Sequence, residues 1–220
     1  MTRPALLVLV VGTATDIGKT WVGGRTLVAL TDRGLRVAAR KPAQSFEAGD
    51  PHPTDADVLA AASGEPAEVV CPPHRSYQVP MAPPMAADVL GLPVPTTADL
   101  LGELVWPAPA ADVGWLETVG GPRSPIGSDG DAVTVAERLD PDVVVLVADA
   151  GLGTVNAVLS SVAPFAGRRV LVVLNRFDPR DDLPPRNRAW LADRHHLDVV
   201  TNADDVADHV TVLLTSRPSD

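Results

Sequence analysis

Short apolar runs alternate with stretches of helical character along most of this 220-residue chain. The apolar runs fall at residues 5–11, 36–39, 114–117, 143–148, 170–175 and 197–200, and several contain no polar residue. Such unbroken runs are typical of parallel strands that are covered on both faces. The stretches between them predict helices at residues 19–32, 55–62, 97–105, 133–139, 155–162, 185–194 and 204–214. The alternation predicts one α/β domain over residues 1–220, a doubly wound, mostly parallel sheet with helices on both faces.

Local signals mark the boundaries of two of these helices. The sequence Thr-Thr-Ala-Asp that begins at Thr96 resembles a capping box, which predicts a helix start at Thr97. The pair Asp140 and Pro141 ends the helix before it. Proline removes a backbone donor and disfavours helical backbone in the residue that precedes it.

The least regular region is residues 71–95, which contains seven prolines. It is compatible with a low-complexity linker or with an ordered loop that crosses the sheet edge near the ligand site. We expect the ordered loop, because four apolar residues can anchor it. These anchors are Tyr77, Val79, Met81 and Met85.

The first apolar run leads directly into residues 12–20, Gly-Thr-Ala-Thr-Asp-Ile-Gly-Lys-Thr. A buried strand, a glycine loop and a helix that begins through Gly-Lys-Thr form the pattern of a phosphate-binding P-loop. Backbone N–H groups would face a polyphosphate, Lys19 would reach its terminal phosphates, and the Thr20 hydroxyl could ligate Mg²⁺. The common pattern has about four residues between the first glycine and Gly-Lys-Thr, and this chain has five. We therefore expect a P-loop NTPase-type domain with one residue inserted in the loop.

Composition and charge narrow the class of partner. The chain is 45% hydrophobic and 21% charged, as in ordinary globular proteins, and its formal net charge is −10. Because no basic stripe is present, we expect neither nucleic acid nor a membrane as a partner. A lone cysteine, Cys71, excludes a disulfide framework, and we expect a small buried or partly exposed apolar side chain. The run at 5–11 is too short to span a membrane and lacks a cleavage site, so we expect a cytoplasmic protein.

Polar residues follow several predicted strands, at the edge where doubly wound sheets bind ligands. Lys41 begins the sequence Lys-Pro-Ala-Gln-Ser after the second run, and it either serves a substrate or phosphate or is a surface lysine. Glu117 ends the third run, where its carboxylate either holds Mg²⁺ or remains solvated. Asp55 and Asp57 begin a helix, so each is a candidate for helix capping, and Asp55 is also a candidate metal ligand.

Two further strand ends carry candidate ligand groups. Residues 151–156, Gly-Leu-Gly-Thr-Val-Asn, open a helix whose free N–H groups suit a substrate carboxylate. Asn175 ends the fifth run, where its amide could read an adenine edge or form a turn. The five histidines show no metal-ligand spacing, and we interpret His195 and His196 as a surface pair before a strand.

Taken together, these segments resemble the dethiobiotin synthetase family, the ATP-dependent carboxylases that close the ureido ring in biotin synthesis. The resemblance covers nearly the whole chain. Its most specific pieces are the P-loop variant, with Asp16 at a usually acidic position, and the Gly-Leu-Gly-Thr-Val-Asn run at 151–156. Residues 41–45 are similar to the family's substrate loop and residues 80–84 to its proline-rich segment.

The resemblance implies a set of site residues. The nucleotide and its metal would contact Thr15, Asp16, Ile17, Gly18, Lys19, Thr20, Asp55, Glu117, Gly120 and Asn175, the last at the adenine. Mg²⁺ would lie among Thr20, Asp55 and Glu117. In a homodimer, the substrate would contact Thr13, Lys41 and Ser45 of one subunit, together with the partner subunit's Gly153, the partner subunit's Thr154 and the partner subunit's Asn156. The catalytic residues would be Lys19 and Lys41.

The reaction implied by the resemblance converts 7,8-diaminononanoate, CO₂ and ATP into dethiobiotin, ADP and phosphate. One amine takes up CO₂ as a carbamate, and the carbamate oxygen attacks the γ-phosphate. The second amine then attacks the carbamic-phosphoric mixed anhydride, closes the ring and expels phosphate. Lys19, Lys41 and Mg²⁺ would neutralise the charge on the transferring phosphoryl group. The protein supplies positioning and fixed positive charge and needs no covalent nucleophile.

Three segments depart from the family pattern. Thr118 and Val119 stand where the family has Gly-Ala, so their side chains are expected to crowd the backbone approach to the nucleotide. Phe46 follows the substrate loop in place of a glycine, and the chain after Val200 lacks the usual Gly-x-[Ile/Val]-Pro segment.

These departures leave two other functions open. One is a divergent P-loop ligase that acts on another carboxylate or amine. The other is a nucleotide-switch ATPase, a class that usually carries an extra lysine early in its P-loop. Positions 13–17 contain no lysine.

Overall fold

The structure, a computed structural model, describes residues 3–216. Its strands are β1 (Leu6–Gly12), β2 (Val37–Arg40), β3 (Gln44–Ser45), β4 (Ser76–Tyr77), β5 (Val113–Glu117), β6 (Val143–Asp149), β7 (Val170–Asn175) and β8 (Asp198–Val200). Its helices are α1 (Lys19–Asp32), α2 (Asp55–Ser63), α3 (Ala67–Val70), α4 (Pro83–Val89), α5 (Thr97–Gly102), α6 (Ala132–Leu139), α7 (Thr154–Val162), α8 (Leu183–His195) and α9 (Ala203–Thr215). Short 3₁₀ helices lie at Pro73–Arg75 and Ala163–Phe165.

Six strands form one parallel sheet in the order β2-β5-β1-β6-β7-β8. The strands β3 and β4 form a separate parallel pair of two residues each. Strand β1 lies between β5 and β6, so the direction in which the chain adds strands reverses around it. A reversal of this kind opens a crevice beyond the carboxyl ends of the strands, where ligands of doubly wound sheets bind.

Strand β1 explains why the apolar runs are unbroken. Its residues Leu7, Leu9 and Val11 belong to a core built with α5, α6, α7 and α8. The alternate residues Leu6, Val8 and Val10 belong to a second core, built with α1, α2 and α9. Successive side chains of a strand point to opposite faces, so a strand buried on both faces must be apolar at every position. The predicted doubly wound sheet is confirmed.

The predicted elements agree with the observed ones to within two residues at most boundaries. Helix α1 has the predicted bounds, and Thr96 and Asp99 form the expected capping box of α5. Helix α6 ends at Leu139, as the Asp-Pro pair at 140 and 141 predicts, and Asp140 then adopts a left-handed conformation. The prediction that α5 continues to Val105 is wrong. The helix ends at Gly102, and the Val105 carbonyl instead accepts a 2.7 Å hydrogen bond from Arg40 Nε.

Residues 71–95 form an ordered segment, as expected. The strand β4 and the helix α4 within it were not predicted from the sequence. Tyr77 is buried and Val79 packs against the core, as expected for anchors. Met81 and Met85 are 44% and 56% exposed, so their prediction as anchors is wrong. Proline is tolerated in the first turn of a helix, and α4 starting at Pro83 buries Ala86 and Ala87 and leaves Met85 on the other face.

None of the helices in residues 3–216 combines the length and apolar character that crossing a membrane requires. Cys71 is buried, and His195 and His196 are exposed at the end of α8, before β8. All three placements agree with the interpretation from sequence.

Candidate active site

The loop between β1 and α1 folds around the amine of Lys19. Lys19 is buried, and its Nζ donates to the carbonyl of Ala14 at 3.3 Å, inside the loop. Gly18 adopts a left-handed φ of 91° at the N-cap of α1, and a Cβ there would lie 2.1 Å from Asn175 Nδ2. Only glycine combines this backbone conformation with so close a contact. The result is a loop whose lysine and helix N-terminus can face a polyphosphate.

The chain after β5 packs directly against this loop. Gly12 N donates to Gly120 O at 3.0 Å, and a Cβ on Gly120 would lie 2.2 Å from Ser124 Oγ. Thr118 is buried and its hydroxyl donates to Val10 O at 2.9 Å, which turns it away from the loop. The expected crowding is therefore wrong for Thr118, whereas Val119 does border the cleft described below.

A buried ion-pair cluster lies beside the P-loop. Lys41 Nζ is 2.8 Å from Glu117 Oε1 and also pairs with the Asp55 carboxylate. Lys41 is 1% exposed and Glu117 is fully buried, so the alternatives of a surface lysine and a solvated carboxylate are wrong. The Thr20 hydroxyl oxygen is 2.6 Å from Asp55 Oδ1 and 2.8 Å from Glu117 Oε1. One lysine, two carboxylates and one hydroxyl thus meet at the carboxyl ends of β2 and β5.

The cluster also distinguishes the two aspartates at the start of α2. Asp57 Oδ2 accepts from Thr54 N at 2.9 Å and completes a capping box with that residue. Asp55 contacts Lys41 and Thr20, with 43% of its side chain exposed. Asp57 is therefore the aspartate that takes part in helix capping, whereas Asp55 contacts the P-loop residue Thr20.

The charges in the cluster shift one another's pKa values. Burial favours the neutral amine of Lys41, but the carboxylates of Glu117 and Asp55 outweigh it and raise its pKa above the ordinary value. Burial opposes ionisation of Asp55, and the Lys41 charge, with hydrogen bonds from Lys41 and Thr20, lowers its pKa nonetheless. The pKa of Lys19 is lowered, first by burial and then by the charge of Lys41. The interactions within the cluster therefore favour the ionised forms of both Lys41 and Asp55.

The oxygen atoms of the cluster fit a magnesium ion. Glu117 Oε2 is buried and has no hydrogen-bond partner among the described residues. Carboxylate and hydroxyl oxygens are the ligand type that Mg²⁺ prefers, usually as one or two carboxylates completed by phosphate and water. Within residues 3–216, no group of three or more His, Cys, Asp and Glu side chains is arranged to hold a metal. A metal at Asp55 and Glu117 would therefore depend on Thr20 and on ligand oxygens.

A cleft of about 650 Å³ opens over the P-loop and the cluster. Of the residues predicted from sequence, it is bordered by Thr15, Asp16, Gly18, Lys19, Thr20, Lys41, Ser45, Asp55 and Gly120. Further lining residues come from the segment after β3 and from the segment between β4 and α4, and include Phe46, Pro80 and Met81. The proline-rich segment thus reaches the site, as the ordered-loop interpretation predicts.

The other predicted site residues do not border this cleft. Glu117 contacts Thr20 and Lys41, which do border it. Thr13 and Ile17 lie within the P-loop, and Asn175 donates to Ile17 O. Gly153, Thr154 and Asn156 lie at the start of α7. Near them, Leu152 is 95% exposed, while Thr154 Oγ1 is buried and has no hydrogen-bond partner within residues 3–216.

Sequence reasoning missed three side chains that shape the site. Gln44 accepts from Ala56 N at 2.9 Å and so fixes the start of α2. Ser124 Oγ accepts from Gly121 N at 2.9 Å and borders the cleft. Arg176 donates to the P-loop carbonyl of Asp16 at 2.9 Å. Gln44 and Arg176 each stand next to a residue that the sequence had singled out, Ser45 and Asn175, whereas Ser124 carried no such signal.

The tail after β8 has no long loop. Asn202 caps α9 by accepting from Asp205 N at 2.8 Å, so the chain enters the helix directly. This agrees with the missing Gly-x-[Ile/Val]-Pro segment.

Comparisons with known proteins agree with the fold and the P-loop. A family model described as "AAA domain" matches residues 7–208. The chain is 36% identical over 173 residues to an ATP-dependent dethiobiotin synthetase BioD of Haloferax mediterranei, covering 77% of this chain and 71% of the relative. It is 37% identical over 198 residues to the enzyme of the same name from Anaeromyxobacter dehalogenans, covering 85% and 84%.

A solved structure supports the fold alone. The signal recognition particle receptor FtsY from Elizabethkingia anophelis superposes with a TM-score of 0.54 at 16% identity, covering 97% of this chain and 66% of that one.

Proposed function

This chain belongs to the dethiobiotin synthetase family, and from that premise we propose that it carries out the ATP- and Mg²⁺-dependent carboxylation and ring closure of 7,8-diaminononanoate to dethiobiotin. The chain acts as one ligase domain, through the carbamate and mixed anhydride described above. The observation that carries the proposal is the buried cluster of Lys41, Asp55, Glu117 and Thr20 beside the P-loop.

The P-loop and the cluster bind different parts of the nucleotide and its metal. The loop amides and Lys19 hold the phosphates of ATP, supported by the position of the amine inside the loop. Thr20, Asp55 and Glu117 hold Mg²⁺, which neutralises phosphate charge when bound. The unpartnered oxygen of Glu117 supports its role, since a buried carboxylate oxygen is otherwise costly to leave unpaired.

Lys41 acts as a fixed positive charge in this proposal. Burial opposes the charge of Lys41, but the carboxylates of Glu117 and Asp55 raise its pKa above the ordinary value, which supports a role as a cation rather than as a base. Together with Lys19, it stabilises negative charge on the carbamate and on the transferring phosphoryl group. Ser45, which also borders the cleft, orients the diamine. Catalysis then rests on positioning and electrostatics.

We propose that the enzyme is a cytoplasmic homodimer, with neither nucleic acid nor a membrane as a partner. In this arrangement Gly153, Thr154 and Asn156 hold the carboxylate tail of the substrate in the neighbouring subunit's site. Two observations support it: the segment lies outside its own chain's cleft, and Leu152 is almost fully exposed beside it.

Phosphate release from ATP tests the function directly. We expect release to require both 7,8-diaminononanoate and bicarbonate, with dethiobiotin as the product by mass spectrometry. Release from ATP alone at the same rate would overturn the proposal in favour of a nucleotide switch.

Phe46 favours a second candidate, a ligase for another amine or carboxylate. Its side chain borders the cleft at a position where the family has glycine, which reduces the room for substrate. The same assay with shorter diamino acids separates the candidates, because the second predicts faster release with a diamine other than 7,8-diaminononanoate.

A further inference from the structure

Asp55 is held in the buried cluster by a different kind of support from Lys41 and Glu117. Glu117 ends β5 and Lys41 directly follows β2, so the parallel sheet fixes both residues. Asp55 is the first residue of α2, and it follows residues 46–54, which form neither helix nor strand. Residues 47–53 of this connection are exposed. The position of the Asp55 carboxylate therefore depends on what holds the start of α2.

Gln44 holds the start of α2 from outside the helix. Its Oε1 accepts from Ala56 N at 2.9 Å, and its Nε2 donates to Ser76 Oγ at 2.8 Å. Gln44 is 5% exposed, and its backbone pairs with that of Ser76 where β3 meets β4. Because only the oxygen of an amide side chain can accept from an N–H group, the bond to Ala56 fixes the orientation of the amide and turns its NH₂ group to Ser76. Gln44 thus joins α2 to the pair of strands β3 and β4.

Gln44 and the capping box satisfy different N–H groups in the first turn of α2. Thr54 N donates to Asp57 Oδ2 at 2.9 Å, and Asp57 N donates to Thr54 Oγ1 at 3.3 Å. Gln44 supplies the acceptor for Ala56 N, which lies between these two groups in the chain. The Asp55 carboxylate is bonded to the Thr20 hydroxyl and to Lys41. The helix start is therefore capped by side chains other than the one that faces the cluster.

We propose that Gln44 is a positioning residue for the metal site, which holds the Asp55 carboxylate toward Mg²⁺ by fixing the start of α2. The inference deepens the proposed function and rests on it for the identity of the metal. A side chain that orients a metal ligand typically changes metal affinity about 10- to 100-fold when it is lost. The alternative is that apolar packing of Ala56, Leu59 and Ala60 in the core holds α2 by itself, so that Gln44 adds only stability.

The variant Gln44→Met tests the proposal, because methionine keeps the length of the side chain and removes both of its hydrogen bonds. Mn²⁺ is the probe, since it takes the same oxygen ligands as Mg²⁺ and its binding can be followed by electron paramagnetic resonance. With β,γ-imido-ATP bound, we expect the affinity for Mn²⁺ to fall about tenfold in Gln44→Met.

Calorimetry without a metal separates positioning from direct contact with the nucleotide, because Gln44 also borders the cleft. In the presence of EDTA, we expect the affinity of Gln44→Met for β,γ-imido-ATP to stay within about twofold of that of the unaltered protein, since the lost bonds act on a metal ligand. An equal loss of affinity with and without the metal would overturn the proposal.

Asp57→Ala is the matched control for the stability of the same helix start. Asp57 is exposed and bonds to Thr54 within its own turn, so it does not join α2 to the rest of the protein. We expect both Asp57→Ala and Gln44→Met to lower the thermal unfolding midpoint by a few degrees, since each loses a cap. Only Gln44→Met should lose affinity for Mn²⁺. Equal losses of Mn²⁺ affinity in the two variants would reduce Gln44 to a structural role.

A double-mutant cycle tests whether Gln44 acts through Asp55. If it does, Gln44→Met should have no further effect on Mn²⁺ affinity in a protein that already carries Asp55→Asn. The same loss in both backgrounds, or an unchanged affinity in Gln44→Met alone, would contradict the proposal. If Asp55→Asn binds no measurable Mn²⁺, the comparison with EDTA and with Asp57→Ala decides. If Gln44→Met does not fold, Gln44→Asn takes its place with the same expected loss, because its amide is one methylene too short to reach Ala56 N.

The binding series needs no diamine, so its outcome is distinct from that of the reaction assay. A selective loss of Mn²⁺ affinity supports the positioning role even where phosphate release proves independent of the diamine. Conversely, release that requires the diamine, together with unaltered Mn²⁺ affinity in Gln44→Met, would reject the role of Gln44 and leave the proposed function in place.

Discussion

Two parts of the same sheet edge are built in opposite ways. The cluster at the ends of β2 and β5 buries Lys41 and Glu117 and is completed by hydrogen bonds within one chain. The segment at residues 151–156 follows β6 and lies outside the cleft, with Leu152 95% exposed. In the function that we propose, the phosphate and metal half of the site is formed within a single chain. The segment at residues 151–156 then acts on a second copy.

The difference in burial sets the scale of the expected effects. A buried ion pair that loses one partner leaves an uncompensated charge, which typically destabilises by about 3–5 kcal/mol. An exposed segment at a helix start has no such dependence, so substitutions there should change binding and leave stability almost unaltered.

Removing the cluster's lysine should have the largest effect. We expect Lys41→Ala to lower kcat by at least about 10²- to 10³-fold, as loss of a preorganised charge does, while ATP binding is retained. Steady-state phosphate release and calorimetric ATP binding measure the two quantities. Unaltered turnover would mean that the buried ammonium has no part in the reaction, whatever its contacts.

The second carboxylate of the cluster should control the metal. We expect Glu117→Gln to raise the Mg²⁺ concentration needed for half-maximal activity by at least about tenfold, because the amide keeps the shape and removes the charge. Asp57→Asn is the matched control, since Asp57 only caps α2 and should leave the Mg²⁺ dependence unchanged. Equal effects of the two substitutions would remove Glu117 from the metal site.

A substitution in the exposed segment should weaken the binding of the diamine alone. We expect Asn156→Ala to raise the KM for 7,8-diaminononanoate about tenfold and to leave the KM for ATP and the unfolding midpoint unchanged. The loss of a few hydrogen bonds to a carboxylate typically weakens binding by about this factor.

Mixing two variants tests whether the segment serves the neighbouring subunit. A mixed dimer of Lys41→Ala and Asn156→Ala subunits contains one site with both changes and one site with neither, if the segment acts across the interface. We expect such a mixture to regain activity with the original diamine KM. A mixture that does not regain activity would show that the segment acts within its own chain or has no part in binding the diamine.

The same contrast explains what the sequence could and could not predict. The six main strands and α1 were predictable because burial on two faces, and the spacing of a P-loop, both leave local patterns. Lys41 and Glu117 were predictable as strand-end residues, since parallel strands bring their carboxyl ends to one edge.

The choice between Asp55 and Asp57 was not predictable, because it depends on which of them bonds to Thr54 and which faces β5. The α4 helix was obscured by its prolines, although two of them stand in its first turn, where proline is tolerated. The contacts of Arg176 join residues far apart in sequence and leave no local pattern.

The smallest expected effect concerns how the cluster responds to pH. The pKa of Asp55 is lowered in the folded protein, so its ionised form stabilises the fold. This contribution is fully present above the unfolded-state pKa of about 3.9 and is lost as the pH falls through the lower folded value. The raised pKa of Lys41 acts at the other end of the scale, and its contribution is lost only at alkaline pH, above about 10.4.

We therefore expect the free energy of unfolding of the unaltered protein to exceed that of Asp55→Asn by a constant amount between about pH 5 and pH 7. The excess should shrink as the pH falls below about 4. Urea unfolding of both proteins without nucleotide, followed by circular dichroism across this range, measures it. The partly exposed carboxylate is screened by water, so the difference should be modest beside the effect of Lys41→Ala. An excess that persists unchanged below the carboxylate range would mean that Asp55 stabilises the fold without its charge, and that the buried pair of Lys41 and Glu117 carries the electrostatics of the cluster alone.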